Sequence, residues 1–223
     1  MTLQEAMHDR HMVRKYMDKP IEGELIQQIN RRISENNVRY GLSMKFVTNN
    51  TSGFNALIKL ILAKGVKNFV ILAGDNQHGL DEKLGYCGTD IMLFAQTLGL
   101  NTWWVGGTFN RNVRNMVPGK KVIGIIAVGY GATQGVPHKS KSYDAVAHYN
   151  GEIPSWFKAG VEAALLAPTA LNKQDFTVEG NGKKVKIYCN NSSIFSGADL
   201  GIVKYHFELG AGTDSFVWDE AQR

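Results

Sequence analysis

The 223-residue sequence is poor in the residues that form disulfides, metal sites and chain breaks. It contains two cysteines and five prolines, and the cysteines do not form a C-x-x-C pair. The six histidines show no metal-ligand spacing, so we expect no structural zinc and no other metal site. Cys87 and Cys189 lie far apart in the chain, which favours free thiols and a reducing compartment over a disulfide framework.

Long hydrophobic segments are absent too. No apolar run approaches the roughly 18 residues that would predict a membrane-spanning helix. Residues 1–20 lack the apolar core of a secretory signal. The sequence therefore predicts a soluble, cytoplasmic protein that has no membrane partner.

Neither sign of charge dominates strongly. There are 25 basic and 20 acidic residues, which gives a formal net charge of +5. So small an excess favours a phosphate-bearing small molecule over a nucleic acid, because binding a duplex requires many more charges. Hydrophobic residues make up 43% of the chain and charged residues 20%, which is the composition of a folded globule.

Apolar periodicity predicts helices and strands along the whole chain. The predicted helices cover residues 2–9, 22–36, 54–62, 90–100, 156–167 and 199–212. The predicted strands cover 44–50, 68–74 and 122–131, followed by a hairpin of 175–180 and 184–190 around Asn181-Gly182. Residues 138–155 have few large apolar side chains, and we expect them to form a surface connector.

Two parts of the sequence match each other in order. Residues 87–102 align with residues 198–213 without a gap, because each has an apolar helix, then Leu-Gly, then Thr. Upstream of each, a helix is followed by a strand pattern of similar type. We therefore predict one domain, residues 1–223, made of half-copies 1–145 and 146–223, with a functional cleft between them. Chance similarity between amphipathic helices is the alternative.

Two basic segments are candidates for an anion site. In RHMVRKY (residues 10–16), Arg10 and Arg14 are four apart, which places them on one side of either a helix or a strand. Two guanidiniums on one side can donate bidentate hydrogen bonds to a phosphate. In HKSKS (138–142), Lys139 and Lys141 share one face of an extended segment. A solvated basic surface is the alternative for both.

Two neutral segments are candidates for binding a flat ligand. In WWVGGTF (103–109), paired glycines let backbone N–H groups approach a ring closely, beside two tryptophans. In APTALNKQDF (167–176), Thr169, Asn172 and Gln174 offer uncharged hydrogen bonds suited to a neutral heterocycle. An ordinary strand and turn explains the first equally well, and an ordinary polar turn explains the second.

Other catalytic motifs are missing. GYGATQG (129–135) is one residue longer than the dinucleotide motif G-x-G-x-x-G and is followed by Pro137 rather than by a helix. There is no G-x-S-x-G segment and no convincing carboxylate pair. We therefore nominate no catalytic side chain.

Taken in order, these segments resemble the FMN-dependent nitroreductase family over nearly the whole chain. RHMVRKYMDKPI is similar to its basic flavin-phosphate motif, and APTALNKQDF to its Ala-Pro-Ser-x-x-Asn-x-Gln-Pro segment. DIMLFAQTLGLNTWWVGG resembles the family's central helix and the turn beside the flavin ring. VIGIIAVGYGATQGVPHKSKS resembles the family's last core strand and its basic tail. In ordinary members the Pro-Ser-Asn segment follows the first helix, where this chain reads NNVRYGLSM. The chain is thus closest to the subgroup in which one duplicated chain mimics the dimer and keeps a single flavin site.

The resemblance implies an α+β fold of three α/β/α layers, with one central mixed or antiparallel sheet flanked by helices and two pseudo-symmetric halves. It implies FMN as the cofactor, NADH or NADPH as the hydride donor, and a small-molecule acceptor such as a nitroaromatic or a quinone. A flavin-binding protein without catalytic activity, which senses or stores its ligand, is the alternative. We expect a monomer that functions as a pseudo-dimer, with further association left open.

The resemblance also assigns cofactor-binding residues in three groups. The phosphate and ribityl chain would be held by residues of the two basic segments, namely Arg10, His11, Arg14, Lys139 and Lys141. The ring would lie beside Val105, Gly106 and Gly107, with a backbone N–H facing its N5 atom. The site would be closed from the other half-copy by Pro168, Thr169, Ala170 and Asn172. Met12 belongs to the first group but stands where the family has a small Ser, and Asp175 stands where it has Pro.

Overall fold

The computed structural model describes residues 1–61 and 63–219. The helices of this part are α1 (Leu3–Asp9), α2 (Gly23–Tyr40), α3 (Ala56–Ile61), α4 (Leu80–Thr97), α5 (Ser155–Ala164) and α6 (Ser196–Ala211). Its strands are β1 (Lys45–Val47), β2 (Phe69–Gly74), β3 (Asn101–Val105), β4 (Lys121–Gly129), β5 (Ala147–Asn150), β6 (Phe176–Asn181), β7 (Lys184–Cys189) and β8 (Val217–Trp218). The α+β class is therefore confirmed.

The first sheet is antiparallel and is covered on both faces. Its strand order is β1-β2-β4-β3, and all six residues of β2 are buried, as expected for a continuous apolar run in a sheet interior. One face packs against α2 and α4, with Ile29 and Ile91 in that core. The opposite face packs against Val13, Tyr16 and Val113, from the N-terminal segment and a short 3-10 turn.

The second sheet is mixed, with the order β5-β6-β7-β8. Strands β6 and β7 form the expected antiparallel hairpin, while β5 and β8 each add in parallel. The hairpin loop lies one residue later than predicted, because Asn181 pairs with Lys184. Gly182 in this loop has φ of 56°, which a residue without a Cβ atom adopts at little cost. Helices α5 and α6 cover one face of the sheet.

The prediction of one central sheet is wrong, because the strands form two separate four-stranded sheets. Helix α4 packs on the first sheet and α6 on the second, and the two helix backbones touch. A Cβ atom at Gly85 would meet the carbonyl oxygen of Ala198, and one at Gly201 would meet that of Glu82. Since the paired helices fill the space between the sheets, the strands of one sheet cannot hydrogen-bond to those of the other.

Several element boundaries differ from the predicted ones. Helix α4 begins at Leu80 rather than at residue 90, because Gly85 and Gly88 weaken the helical signal of its first half. Strand β5 lies inside the predicted surface connector, and β8 was not predicted. Helix α1 begins with a capping box, in which the side chains of Thr2 and Glu5 each accept a hydrogen bond from the other residue's backbone N–H group.

The two predicted half-copies contain the following elements in chain order. Residues 23–105 contain α2, β1, β2, α4 and β3, and residues 155–218 contain α5, β6, β7, α6 and β8. The helix α3 separates β1 from β2, whereas a tight turn separates β6 from β7. The two half-copies and their shared origin stay a prediction. Within the described residues, no helix is both long and apolar enough to cross a membrane.

Candidate functional site

The N-terminal basic segment runs along the edge of the first sheet. Helix α1 ends at Asp9 and is capped by Arg10, whose N–H donates to the Ala6 carbonyl at 2.9 Å. The chain then pairs Met12 with Thr102 of the edge strand β3, and the Val13 N–H donates to the Thr102 carbonyl at 3.3 Å. The segment is therefore extended and fixed by backbone contacts.

Arg10 is a buried cation without a carboxylate partner. Its exposed fraction is 5%, and within residues 1–61 and 63–219 neither an ion pair nor a partner for its Nε atom occurs. Burial lowers the pKa of Arg10 to about 10, and Tyr16 partly opposes this shift. Because an unpaired buried charge is costly, an anion bound beside Arg10 would relieve that cost.

Arg14 does not share the environment of Arg10. Its side chain is exposed, and its guanidinium carbon lies 5.2 Å from the centre of the Trp103 ring. The common-side prediction assumed one regular element across both residues, whereas a helix end separates them. Met12 is also exposed, by 47% of its surface.

The second basic segment lies close to the first. Burial lowers the pKa of His11, and the positive charges of Arg10 and His138 lower it further. A Cβ atom at Gly135 would lie 2.8 Å from the Cβ atom of His11, so the chain leading to residues 138–142 passes over this histidine. Residues 10–14 and 138–141 therefore form one basic region.

Gln174 joins this region to the second half-copy. Its side chain is 1% exposed. Its Nε2 donates to the Leu165 carbonyl at 2.7 Å, and its backbone N–H donates to Thr169 Oγ1 at 2.9 Å. Lys141 donates to it twice, from the backbone N–H to Oε1 at 2.6 Å and from Nζ to the carbonyl at 2.9 Å.

Two more hydrogen bonds hold the same segments together. Asn172 Nδ2 donates to the Lys139 carbonyl at 2.8 Å, and His138 Nε2 lies 3.0 Å from the Leu165 carbonyl oxygen. Among the predicted residues, Asn172 is thus in contact with Lys139, whereas Lys141 contacts Gln174. Lys141 Nζ donates to the Gln174 carbonyl. It is therefore not an unpaired cation beside Lys139, as the prediction of a shared face assumed.

The loop that carries Thr169 to Gln174 has a strained backbone. Leu171, Asn172 and Gln174 have φ values of 53°, 53° and 46°, a region that non-glycine residues rarely adopt. Leu171 is also 85% exposed. Such strain persists where surrounding contacts impose it, and it is frequent at ligand-binding sites.

The paired glycines face an aromatic ring from the second half-copy. A Cβ atom at Gly106 would lie 3.0 Å from Phe195 Cε1, and one at Gly107 would lie 4.0 Å from Phe195 Cζ. Val105 is only 3% exposed and packs in the core of the first sheet. Its side chain therefore does not line a ligand, and only its backbone is available for the predicted role.

The start of helix α6 touches both neutral segments. Phe195 caps the helix and lies against Gly106, while both carboxylate oxygens of Asp199 accept from the Ala170 N–H at 3.0 and 3.1 Å. The start of α6 thereby connects the predicted ring group at Gly106 with the predicted group at Ala170.

A family model described as "Putative TM nitroreductase" matches residues 2–211. The chain belongs to this nitroreductase family. None of the curated proteins compared with this nitroreductase chain matches it.

Solved structures of other nitroreductases share its fold. A "putative nitroreductase" from Thermotoga maritima MSB8 has 21% identity and a TM-score of 0.71, covering 94% of this chain and 83% of its own. An "FMN-dependent Nitroreductase" from Clostridium difficile R20291 has 20% identity and a TM-score of 0.52, covering 66% and 98%. A "Putative NADH dehydrogenase/NAD(P)H nitroreductase" from Parabacteroides distasonis ATCC 8503 has 21% identity and a TM-score of 0.53, covering 67% and 98%.

Four residues of this nitroreductase contact the candidate site but were not assigned to it from the sequence. His138 is inside the HKSKS segment, and Gln174 is one of the neutral polar residues of APTALNKQDF (167–176), so the sequence contained a signal for both. The sequence contained no such signal for Phe195 or Asp199, because only the packing of α6 brings these two residues to the candidate site. Two surface depressions, beside Lys186 and beside Arg39, contain none of the predicted residues.

His206 is a buried histidine near the basic region. It is fully buried, with Nδ1 2.8 Å from the Ile202 carbonyl oxygen and with no partner for Nε2 among the described residues. Burial lowers the pKa of His206 to about 3, and the charges of Arg10 and His138 lower it further. The imidazole is therefore neutral at physiological pH and lies close to the basic region.

Proposed function

We propose that this chain is an FMN-dependent oxidoreductase that uses NADH or NADPH to reduce a small-molecule acceptor, such as a nitroaromatic or a quinone. The observation that carries the proposal is Arg10. It is a buried guanidinium with a partnerless Nε among the described residues, at the position of the family's flavin-phosphate motif.

The residues present fit an FMN molecule. Its phosphate dianion would compensate Arg10, with Arg14, His11 and the segment of Lys139 and Lys141 adding positive charge. The flat ring would lie beside the backbone of the Gly106–Gly107 turn, on a side not occupied by Phe195, whose ring fills the space next to Gly106. The uncharged loop with Thr169 and Asn172 suits a neutral heterocycle.

The chemistry of such an enzyme belongs to the cofactor. Bound FMN would take hydride from the reduced nicotinamide and pass it to the acceptor. The chain itself would bind the phosphate, orient the ring and keep water from one of its faces. The names of two solved relatives, one FMN-dependent and one an NAD(P)H nitroreductase, support this assignment.

The test is an absorbance spectrum. We expect the purified protein to be yellow, or to become yellow when FMN is added, and we expect NADH or NADPH to bleach it under anaerobic conditions. A colourless protein that does not bind FMN would overturn the proposal. A protein that binds FMN but oxidises neither nicotinamide with any acceptor would instead be the non-catalytic flavin-binding alternative.

We further propose one flavin site in each chain and a chain that functions as a monomer. The supporting observation is that Arg10 and Gly106 come from the first half-copy, while Ala170 and Phe195 come from the second. The ratio of bound FMN to protein, measured with the molar mass by light scattering, tests both points. Two FMN molecules per chain would contradict the single site.

A further inference from the structure

Asp199 is a partly buried carboxylate without a cation partner in the part of the chain that the structure describes. It lies in the first turn of α6, and both of its oxygens accept from the Ala170 N–H, at 3.0 and 3.1 Å. None of the ion pairs formed by the described residues includes it.

The surroundings of Asp199 are unfavourable for a negative charge. Burial raises the pKa of Asp199 to about 6, the bond from Ala170 opposes this, and the charge of Asp175 adds to it. The other titratable groups that face the first turn of α6 are acidic or neutral, namely Cys189 on β7 and Asp81 and Glu82 on α4. Lys121 and Lys204 are nearby but pair with Asp81 and Glu82.

The sign of this shift makes the ionised carboxylate a cost to folding. The folded chain binds the Asp199 proton more tightly than the unfolded chain, whose carboxyl has a pKa of 3.8. Stability from this group is therefore lost as the pH rises from about 4 to about 6 and stays low above that. A neutral amide of the same shape would avoid the cost, so a role other than stability is indicated.

That role follows from what Asp199 holds. Ala170 is followed by Leu171 and Asn172, which have left-handed backbones and therefore need an external contact to fix them. Phe195, one helical turn before Asp199, lies over Gly106. The start of α6 thus sets the positions of both walls of the candidate ring site.

We propose that Asp199 is a positioning residue, whose carboxylate holds the Ala170–Asn172 turn in the conformation that faces the Gly106–Gly107 turn. The consequence for flavin binding rests on the proposed function. When Asp199 is protonated, the bond to Ala170 loses its charge assistance, and a smaller fraction of molecules has a loop competent to bind.

The first experiment is hydrogen exchange of the peptide that contains residues 168–174, without any ligand. At pH 8 we expect Asp199→Asn to exchange this segment roughly tenfold faster than the wild type, because a charge-assisted bond is replaced by a neutral one. At pH 5 the two proteins should exchange alike. The wild-type chain provides the same test without a variant. Its residues 168–174 should lose protection from hydrogen exchange, relative to α4, as the pH is lowered through about 6.

Asp175→Asn is the matched control. It removes the neighbouring carboxylate, which bonds Asn191, and leaves the bond between Asp199 and Ala170 in place. Protection of residues 168–174 at pH 8 should be unchanged. Because Asp175 helps to raise the pKa of Asp199, the loss of protection should move to a lower pH.

The second experiment is an FMN titration at each pH. The FMN phosphate also titrates in this range, so the measured quantity is the ratio of the wild-type affinity to that of Asp199→Asn. We expect a ratio of roughly ten at pH 8 and near one at pH 5, with a melting temperature of the variant no lower than that of the wild type at pH 8.

The outcomes separate this inference from the proposed function. Equal exchange of residues 168–174 in Asp199→Asn and the wild type at pH 8 would overturn the positioning role. If residues 168–174 exchange faster in Asp199→Asn but the variant binds FMN as tightly as the wild type at pH 8, the link between Asp199 and flavin binding would be overturned. If the wild type binds no FMN at any pH, the proposed function fails, and hydrogen exchange still decides whether Asp199 holds the loop.

Discussion

Lys141 and Gln174 are joined by two hydrogen bonds, one from the Lys141 backbone N–H to Gln174 Oε1 at 2.6 Å and one from Lys141 Nζ to the Gln174 carbonyl at 2.9 Å. The two residues come from opposite sides of strand β5 in the chain. Because Gln174 also bonds Thr169 and Leu165, it fixes the basic segment relative to the neutral loop.

Gln174→Ala is therefore expected to destabilise the chain and to weaken FMN binding. The substitution leaves the Lys141 N–H without its acceptor, whereas the Leu165 carbonyl still accepts from Ser140 Oγ at 2.9 Å. One unsatisfied buried group costs about 1–3 kcal/mol. Urea unfolding measures the loss of stability, and an FMN titration measures the loss of affinity. The control is Gln4→Ala, which removes one exposed bond to the Leu209 carbonyl and should change neither quantity. An unfolding midpoint equal to that of the wild type would refute the role of Gln174.

Arg10→Met should have opposite effects on stability and on binding. The lowering of the Arg10 pKa to about 10 corresponds to on the order of 3 kcal/mol of cost to the folded state. This cost is fully present below pH 10 and is relieved only as the pH rises above about 10. We expect the FMN-free variant to melt at a higher temperature than the wild type and to bind FMN much more weakly.

Arg31→Met is the matched control for Arg10, because Arg31 is exposed and surface substitutions rarely change stability by more than about 0.5 kcal/mol. Both the melting temperature and the FMN affinity of this control should match the wild type. A lower melting temperature of FMN-free Arg10→Met would mean that the buried guanidinium is paired in solution.

The sequence predicted local features better than the arrangement of the sheets. Regular apolar spacing and turn residues are local signals, so α1, the β6–β7 hairpin and the fully buried β2 were found. The split into two sheets depends on the close approach of α4 and α6, which Gly85 and Gly201 permit. A glycine weakens the helix signal in a sequence. Nothing in the local sequence shows that the backbone of another helix occupies the space where a Cβ atom would lie.

The same distinction applies to the candidate site. Arg10, Lys141 and Asn172 were assigned because their residue types and order resemble a family motif. Phe195 and Asp199 were not assigned, because they reach the candidate site only through tertiary packing. At Val105 the strand turns the side chain into the core, so only its backbone can take the predicted role.

Gly201→Ala is expected to disrupt the contact between the half-copies. Its Cβ atom would meet the backbone of α4 at the Glu82 carbonyl and the Tyr86 N–H, and a backbone atom cannot move aside as a flexible side chain can. Overpacking of this kind costs about 1–3 kcal/mol or more. Chemical denaturation should show the lower stability, and an FMN titration should show weaker binding.

Gly23→Ala is the control. Gly23 is a helical glycine with nothing within 4 Å of the added atom, so the substitution should be neutral or slightly stabilising. Wild-type stability of Gly201→Ala would show that α4 and α6 pack less closely than described.

Met12→Ser should tighten FMN binding. Met12 occupies the position at which the family motif has a small Ser, and its side chain is 47% exposed, so the substitution has little effect on the core. A serine hydroxyl would add one hydrogen bond to the phosphate, and a bond to a charged group increases affinity by roughly tenfold. Met17→Ser is a close control, because Met17 is 49% exposed and follows the basic segment RHMVRKY (residues 10–16). We expect its affinity to equal that of the wild type in the same titration. Unchanged or weaker binding by Met12→Ser would show that this side chain does not face the phosphate, and would place the anion on the Arg10 side of the segment alone.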